Sequence, residues 1–372
     1  MHHEVSEPRD GMLVASGYGL KIYVDRGHLI VHDGVGRNRR TLRLNRATSG
    51  LERLVVIGHT GFVTLEALRW IRDIGASFVQ IGRDGEVIAI SSAERFHNTK
   101  LRRAQAIAAD TGRGLQAMRH LTGAKLEQQA ARVEGMPALW PPKPNGGKGQ
   151  VDVVSVIRRE LAKLSGCTTL KDVRACESVA GRWYWQTLAS TPVEFVGGWR
   201  PGVPAHWGTA GARASPPSGF KSSRKAATPF HALINYAYAI LETEATITLQ
   251  AHGFDPGLGI LHTDKRYRGS LAHDLMEPVR PVVDGLVLDL LAARALERGD
   301  VYETREGVCR LGPPTARRLA QWSPELRPAL ANHAAELAAL VIGGRTTRPA
   351  RRRNGTTAGK GGKRRLAGQA SL

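Results

Sequence analysis

The chain has 372 residues, 42% of them hydrophobic, and carries 53 Lys or Arg against 33 Asp or Glu, a formal charge of +20 at neutral pH. That length allows two or three domains with at least one sizeable core, and no run of eighteen uninterrupted apolar residues exists to span a bilayer. The basic balance, with pI near 10.5, argues against an acidic scaffold and directs attention to polyanions, nucleic acid first and anionic membrane second.

In chain order, Met1 to Asp10 is polar, with Glu4, Glu7 and Asp10, and lacks the basic-then-apolar layout of a secretory signal. A cytoplasmic location is therefore the expectation. Alternation through Leu20, Ile22, Val24, Leu29 and Val31, again at residues 41–44, and the apolar run 54–57 predict short strands. Residues 63–74 have helical spacing that stops at Gly75. Two further strands, 78–81 and 87–90, flank an Asp84-Gly85 hairpin signal. This predicts a small N-terminal β-sandwich-like domain, residues 1–92, carrying one helix.

From about residue 93 the composition shifts to Ala, Leu, Arg and Gln, predicting long helices through 135. A Pro/Gly-dense break covers 136–150, and helical periodicity resumes at 151–164 and 170–188. A second long Gly/Pro/Ser-rich stretch, 196–229, is of the kind that is functional or disordered. Helices return at 230–251, 271–295 and 313–342. The fold class expected is α+β: the β domain, a larger all-α catalytic domain over 93–342, and a disordered basic tail over 343–372. Nine Lys or Arg and no acid lie from Arg345 onward, so the rest of the chain is still about +11. Cys167, Cys176 and Cys309 are an odd, widely spaced set with no Cys-x-x-Cys pair. They read as reduced residues, neither a disulfide framework nor a zinc site.

Three short stretches in the helical half could carry chemistry. Glu177 sits in ACESVAGRWYW, where an acid is paired, exposed or a ligand. His262 ends GFDPGLGILH, a turn able to present an imidazole to a cleft or simply to hold a structural histidine. Asp274 and Glu277 in SLAHDLMEPVRP are three apart and share a helix face. They either repel around a cation or form a solvated acidic face paired with Arg280. The prolines at 278 and 281 predict a kink or a fresh helix start. One His with two or three carboxylates suits Mg²⁺ or Mn²⁺. On a basic protein, that points to phosphodiester chemistry.

Taken together, these stretches resemble the CRISPR-associated spacer integrases, the universal nucleases of CRISPR adaptation. The family's Glu-Gly-x-Ala-Ala-Arg-x-Tyr-aromatic pattern reads here as Glu177 to Trp185. Its Gly-Leu-Asp-Pro-x-Leu-Gly-Phe-Leu-His turn is Gly253 to His262. Its Ser-Leu-Ala-x-Asp-Leu-Met-Glu-x-Phe-Arg-Pro run is Ser270 to Pro281, with Val279 for Phe. Weaker matches are Lys125 with Gln128, and Arg224 with the stretch 229–238. Ser178, Gly181, Thr228 and His231 depart from the usual residues, the last two standing where Asp and Asn are usual.

The resemblance covers roughly residues 12–342. It implies a metal site of Glu177, His262 and Asp274 with Glu277 as a nearby second acid, loaded with Mg²⁺ or Mn²⁺. It implies a homodimer formed through the β domains, and two such dimers flanking a small ferredoxin-like partner in a heterohexamer. The substrates implied are double-stranded DNA, as prespacer and as CRISPR repeat, joined by 3′-hydroxyl attack. Lys221, Arg224, Lys225 and Arg182 are the candidate phosphate contacts, with ordinary solvated charge as the alternative. Two other readings stay open: the integrase of a mobile element, and a non-catalytic basic DNA-binding scaffold.

Overall fold

The computed structural model describes residues 8–34, 36, 39–58, 60–82, 85–91, 98–143, 148–197, 199, 202–212, 225–262 and 269–343. Lys221, Arg224 and the basic tail beyond Gly343 lie outside the described residues.

The N-terminal region is two four-stranded sheets. One runs in the order β1 (Met12–Ser16), β5 (Arg53–Ile57), β7 (Ser77–Ile81), β8 (Val87–Ser91). Its first three strands pair in parallel, and β8 adds the antiparallel edge. The other runs β4 (Arg40–Leu44), β3 (His28–Asp33), β2 (Leu20–Asp25), β6 (Gly61–Val63). Here β2, β3 and β4 form an antiparallel meander, and β6 joins β2 in parallel. At that junction a Cβ on Gly61 would lie 2.2 Å from the Leu20 carbonyl oxygen, so only glycine lets the two strands meet. Helix α1 (Leu65–Asp73) is N-capped by Thr64, whose hydroxyl accepts from the Ala67 amide at 3.2 Å. Its buried Trp70 donates to the Gly27 carbonyl at 2.9 Å.

Side-chain alternation splits the first sheet between two cores. Leu13, Ala15, Leu54, Val56 and Phe78 pack with Leu20, Ile22, Leu29, Val31 and Trp70 between the sheets. Met12, Val14, Val55, Ile57, Val79 and Ile81 face the other way, into the core of the helical region. Burial on both faces explains why β1 and β5 are apolar almost throughout. It also explains why β1 carries no alternating signal.

The helical region comprises α2 (Thr99–Ala106), α3 (Gly112–Glu134), α4 (Val153–Lys163), α5 (Leu170–Ala189), α6 (Pro229–His252), α7 (Ser270–Met276), α8 (Arg280–Ala293), α9 (Pro313–Ala320) and α10 (Ser323–Ile342). Apolar around most of its girth, α6 is the central rod, packed by α7, α8, α9 and α10. Thr228, one of the departures from the family pattern, caps α6: its hydroxyl accepts from the His231 amide at 3.4 Å and contacts His231 Nδ1 at 3.0 Å. Three predicted long helices are each divided. Thr111 caps α3 after a 3₁₀ turn, Pro281 sits in the first turn of α8, and α9 ends at Gln321 before α10 begins.

The expected all-α character has one exception among the described residues. A short hairpin, β9 (Val301–Glu303) with β10 (Cys309–Leu311), is tied to the start of α6 by the Cys309 amide donating to the Ala226 carbonyl at 2.8 Å. The described parts of 196–229 are anchored by an aromatic cluster. Trp207 is buried against Phe195 and Trp199 at 6.1 Å and donates to the Ala227 carbonyl at 3.0 Å. All three cysteines are buried and unbridged. No described helix is long and apolar enough to cross a membrane.

Candidate active site

The turn ending in His262 follows α6, whose C-terminus is closed by Gly253 at φ +90°. Three helices then hold it. Buried Gln105 on α2 donates to the Asp255 and Leu258 carbonyls at 2.6 and 2.8 Å and accepts from the Asp255 amide at 3.0 Å. Arg174 on α5 donates to the Leu261 carbonyl at 2.9 Å. The Pro256 carbonyl in turn accepts from the first amides of α7, Leu271 at 2.9 Å and Ala272 at 3.3 Å. Gly259 is required where the turn meets α7, because a Cβ there would lie 2.3 Å from the His262 carbonyl oxygen and 2.6 Å from Ser270 Cβ.

Asp274 is the clamp on this turn. It is 1% exposed, and both oxygens are spent. Oδ2 accepts from the Ile260 and Leu261 amides at 2.7 and 3.0 Å; Oδ1 accepts from the His262 amide at 2.9 Å and meets His262 Nδ1 at 2.6 Å. A carboxylate holding Nδ1 leaves Nε2 as the free face of the imidazole. Nε2 looks toward Glu277 Oε1, 3.8 Å away.

Glu277, one turn after Asp274 and 2% exposed, has quite different surroundings. Arg280 donates to its Oε1 at 2.5 Å, and the Lys125 ammonium of α3 lies 2.5 Å from its Oε2. Oε2 is thus a buried carboxylate oxygen whose neighbour is the Lys125 ammonium. Burial would raise this carboxyl, but the Arg280 and Lys125 charges outweigh it and hold it below the usual carboxylate range. Lys125 also pairs with Glu177 of α5. One buried ammonium therefore stands between two carboxylates, with an imidazole beside them. The sequence-level alternative of a solvated acidic face is excluded by burial, although its Arg280 pairing is real.

Behind Arg280 lies a group that local motifs do not reveal. Tyr184 and Tyr238 donate to the two oxygens of buried Asp284 at 2.8 and 2.7 Å, and the Arg280 guanidinium lies 5.2 Å from the Tyr238 ring centroid. Burial pushes the Asp284 carboxyl up to about 6, against the lowering effect of the two phenols and Arg280. Tyr184 belongs to the Glu177 stretch, and Asp284 sits seven residues after Glu277. Each is thus near a motif in sequence but meets the others through packing alone.

Of the candidate DNA contacts, Arg182 is exposed on α5, five residues after Glu177. Lys225 is half-buried and interacts with neighbouring groups; the Glu306 carboxyl is lowered chiefly by the Thr304 hydrogen bond, with the Lys225 charge a smaller contributor.

The family model described as CRISPR associated protein Cas1 matches residues 13–323. The CRISPR-associated endonuclease Cas1 1 of Archaeoglobus fulgidus is 28% identical over 316 residues, 82% of this chain and 85% of that protein. Among solved structures, a casposase bound to integration product superposes with a TM-score of 0.71 at 21% identity, over 89% of this chain and 90% of that one. A Cas6-RT-Cas1–Cas2 complex gives 0.63 at 17% identity, over 92% of this chain and 36% of that one.

Proposed function

The chain belongs to the CRISPR-associated protein Cas1 family, and on that premise we propose that it is a DNA endonuclease and integrase working with a divalent metal held by Glu177, His262 and Glu277. The observation that carries this reading is that Glu177 and buried Glu277 pair with one and the same buried cation, with His262 Nε2 3.8 Å from Glu277. The donor set, two carboxylates and one imidazole, fits Mg²⁺ or Mn²⁺. The Lys125 ammonium stands in for the cation. Asp274, which the resemblance implies to be a ligand, is here assigned to positioning, because its oxygens already accept three amides and the imidazole.

When bound, the metal would neutralise charge on the scissile phosphate and activate the attacking hydroxyl. The protein's own residues do the rest. Asp274 fixes the ring orientation of His262 and keeps its Nε2 directed to the Glu277 side. Arg280, propped on Tyr238, keeps Glu277 ionised. Lys125 compensates the charge of the two acids. Arg182, Lys221, Arg224 and Lys225 are assigned to phosphate contacts that position the duplex.

The CRISPR-associated names of the sequence relatives support a CRISPR array, rather than mobile-element ends, as the target. The solved Cas6-RT-Cas1–Cas2 complex supports a Cas2-type partner; the homodimer and the heterohexamer rest on the family resemblance. The test is a strand-transfer assay on a labelled half-integrated DNA with Mn²⁺ or Mg²⁺. Cleavage and rejoining should require metal, stop in EDTA and be lost in Glu177→Ala. Activity in EDTA, or a fully active Glu177→Ala, refutes the metal assignment. Tight DNA binding without chemistry, even with the partner added, leaves the scaffold reading.

A further inference from the structure

On α3, five residues before Lys125 and around the helix from it, His120 faces His333 and Glu336 of α10. His120 Nε2 lies 2.9 Å from Glu336 Oε2, and His333 Nδ1 lies 3.3 Å from the same oxygen. The three ligand atoms all fall within 4.8 Å of one another. Tetrahedral zinc, with bonds of about 2.0–2.1 Å, holds its ligand atoms roughly 3.3 Å apart. Two of the three edges are therefore near coordination length, and the third is no longer than 4.8 Å.

We propose that His120, His333 and Glu336 form a second metal site, selective for Zn²⁺-like ions, that staples α10 to α3. The chemistry differs from that of the acidic centre. Two imidazoles and one carboxylate suit zinc and its neighbours, whereas a carboxylate-rich set suits Mg²⁺ or Mn²⁺. Burial lowers His333 below its ordinary value, which favours the neutral, ligating form of the ring. Burial would raise Glu336, but the His120 hydrogen bond and the two imidazoles together lower it. The cluster opens onto a groove of about 440 Å³ lined by Arg113, Gln116 and Leu340, which leaves a fourth position for water. Three protein ligands and one open position are a common zinc arrangement. Without an ion, Glu336 is shared by two imidazoles, which is a weaker tie than a coordinate bond to each.

The experiment uses untagged, full-length protein freed of metal by chelation, titrated with Co²⁺ as a visible probe and then with Zn²⁺. One equivalent of Co²⁺ should give the d–d bands of a four-coordinate site, and Zn²⁺ should erase them. The bands should persist in Glu177→Ala, which disables the acidic centre, and vanish in His120→Gln, whose exposed position makes unfolding no concern. Zn²⁺ affinity in His120→Gln should fall by more than the ~10–100-fold that removing an outer-shell partner costs. Bands that are absent from the parent, survive in His120→Gln, or disappear in Glu177→Ala each overturn the proposal.

Discussion

Asp274→Asn separates a positioning carboxylate from a metal ligand. The asparagine retains one oxygen and replaces the other with an NH₂. If the oxygen stays on His262, the amides of Ile260 and Leu261, which now reach Oδ2 at 2.7 and 3.0 Å, face a donor. Leaving two buried donors unsatisfied costs about 1–3 kcal/mol each, together about 2–6 kcal/mol. At about 1.3 °C per kcal/mol for a chain of this length, Tm should fall by about 3–8 °C. The assay is calorimetry or circular-dichroism melting in excess EDTA, where loss of a ligand can contribute nothing. Without EDTA, Mn²⁺ affinity should also drop about 10–100-fold, because His262 loses its orientation. A variant that melts within about 1 °C of the parent in EDTA would refute the clamp and return Asp274 to the ligand set.

Lys125→Met removes the ammonium shared by Glu177 and Glu277. Breaking such buried pairing costs about 3–5 kcal/mol, and Arg280 tempers it for Glu277. Mn²⁺ should then raise the Tm of this variant more than that of the parent, and equal increments would show that the ammonium does not occupy the cation position. Asp284, raised to about 6 from 3.8, stays protonated in the folded chain between about pH 4 and 6 while the unfolded chain has released its proton. The native state binds more protons across that window, so this group's contribution falls by about 3 kcal/mol as pH rises through it. Urea midpoints should accordingly show Asp284→Asn less harmful at pH 7.5 than at pH 4.5; identical differences at both pH values would contradict this. Deleting 345–372 should weaken DNA binding and flatten its salt dependence by about 0.9 in log–log slope for each phosphate the tail neutralises, and an unchanged slope would rule the tail out.

The acidic centre was legible because its pieces are local. A three-residue spacing puts Asp274 and Glu277 on one helix face, and a glycine-rich turn announces His262. Their different surroundings were not legible. Whether a carboxylate meets backbone amides or an ammonium depends on α3 and the 260–262 turn arriving from elsewhere in the chain. The Tyr184–Asp284–Tyr238 group spans a hundred residues, and His120 reaches its α10 partners across more than two hundred. The β-then-α layout was readable from periodicity. Strand β1 was not, since two-sided burial erases alternation, and the β9–β10 hairpin is too short to leave a pattern. The breaks inside the long helical stretches were hidden too, apart from the one the prolines mark, because amphipathic spacing continues across them.

The first sheet answers to two masters. A chain cut at residue 92 would turn Met12, Val14, Val55, Ile57, Val79 and Ile81 toward water, so the β part is not a detachable module. The seam is also riveted electrically: Arg53 of β5 reaches Glu244 of α6 at 3.4 Å, and Arg327 of α10 bridges Glu244 at 3.3 Å and Glu52 at 2.6 Å. These ion pairs couple the strands to α6, the rod from whose end the His262 turn departs.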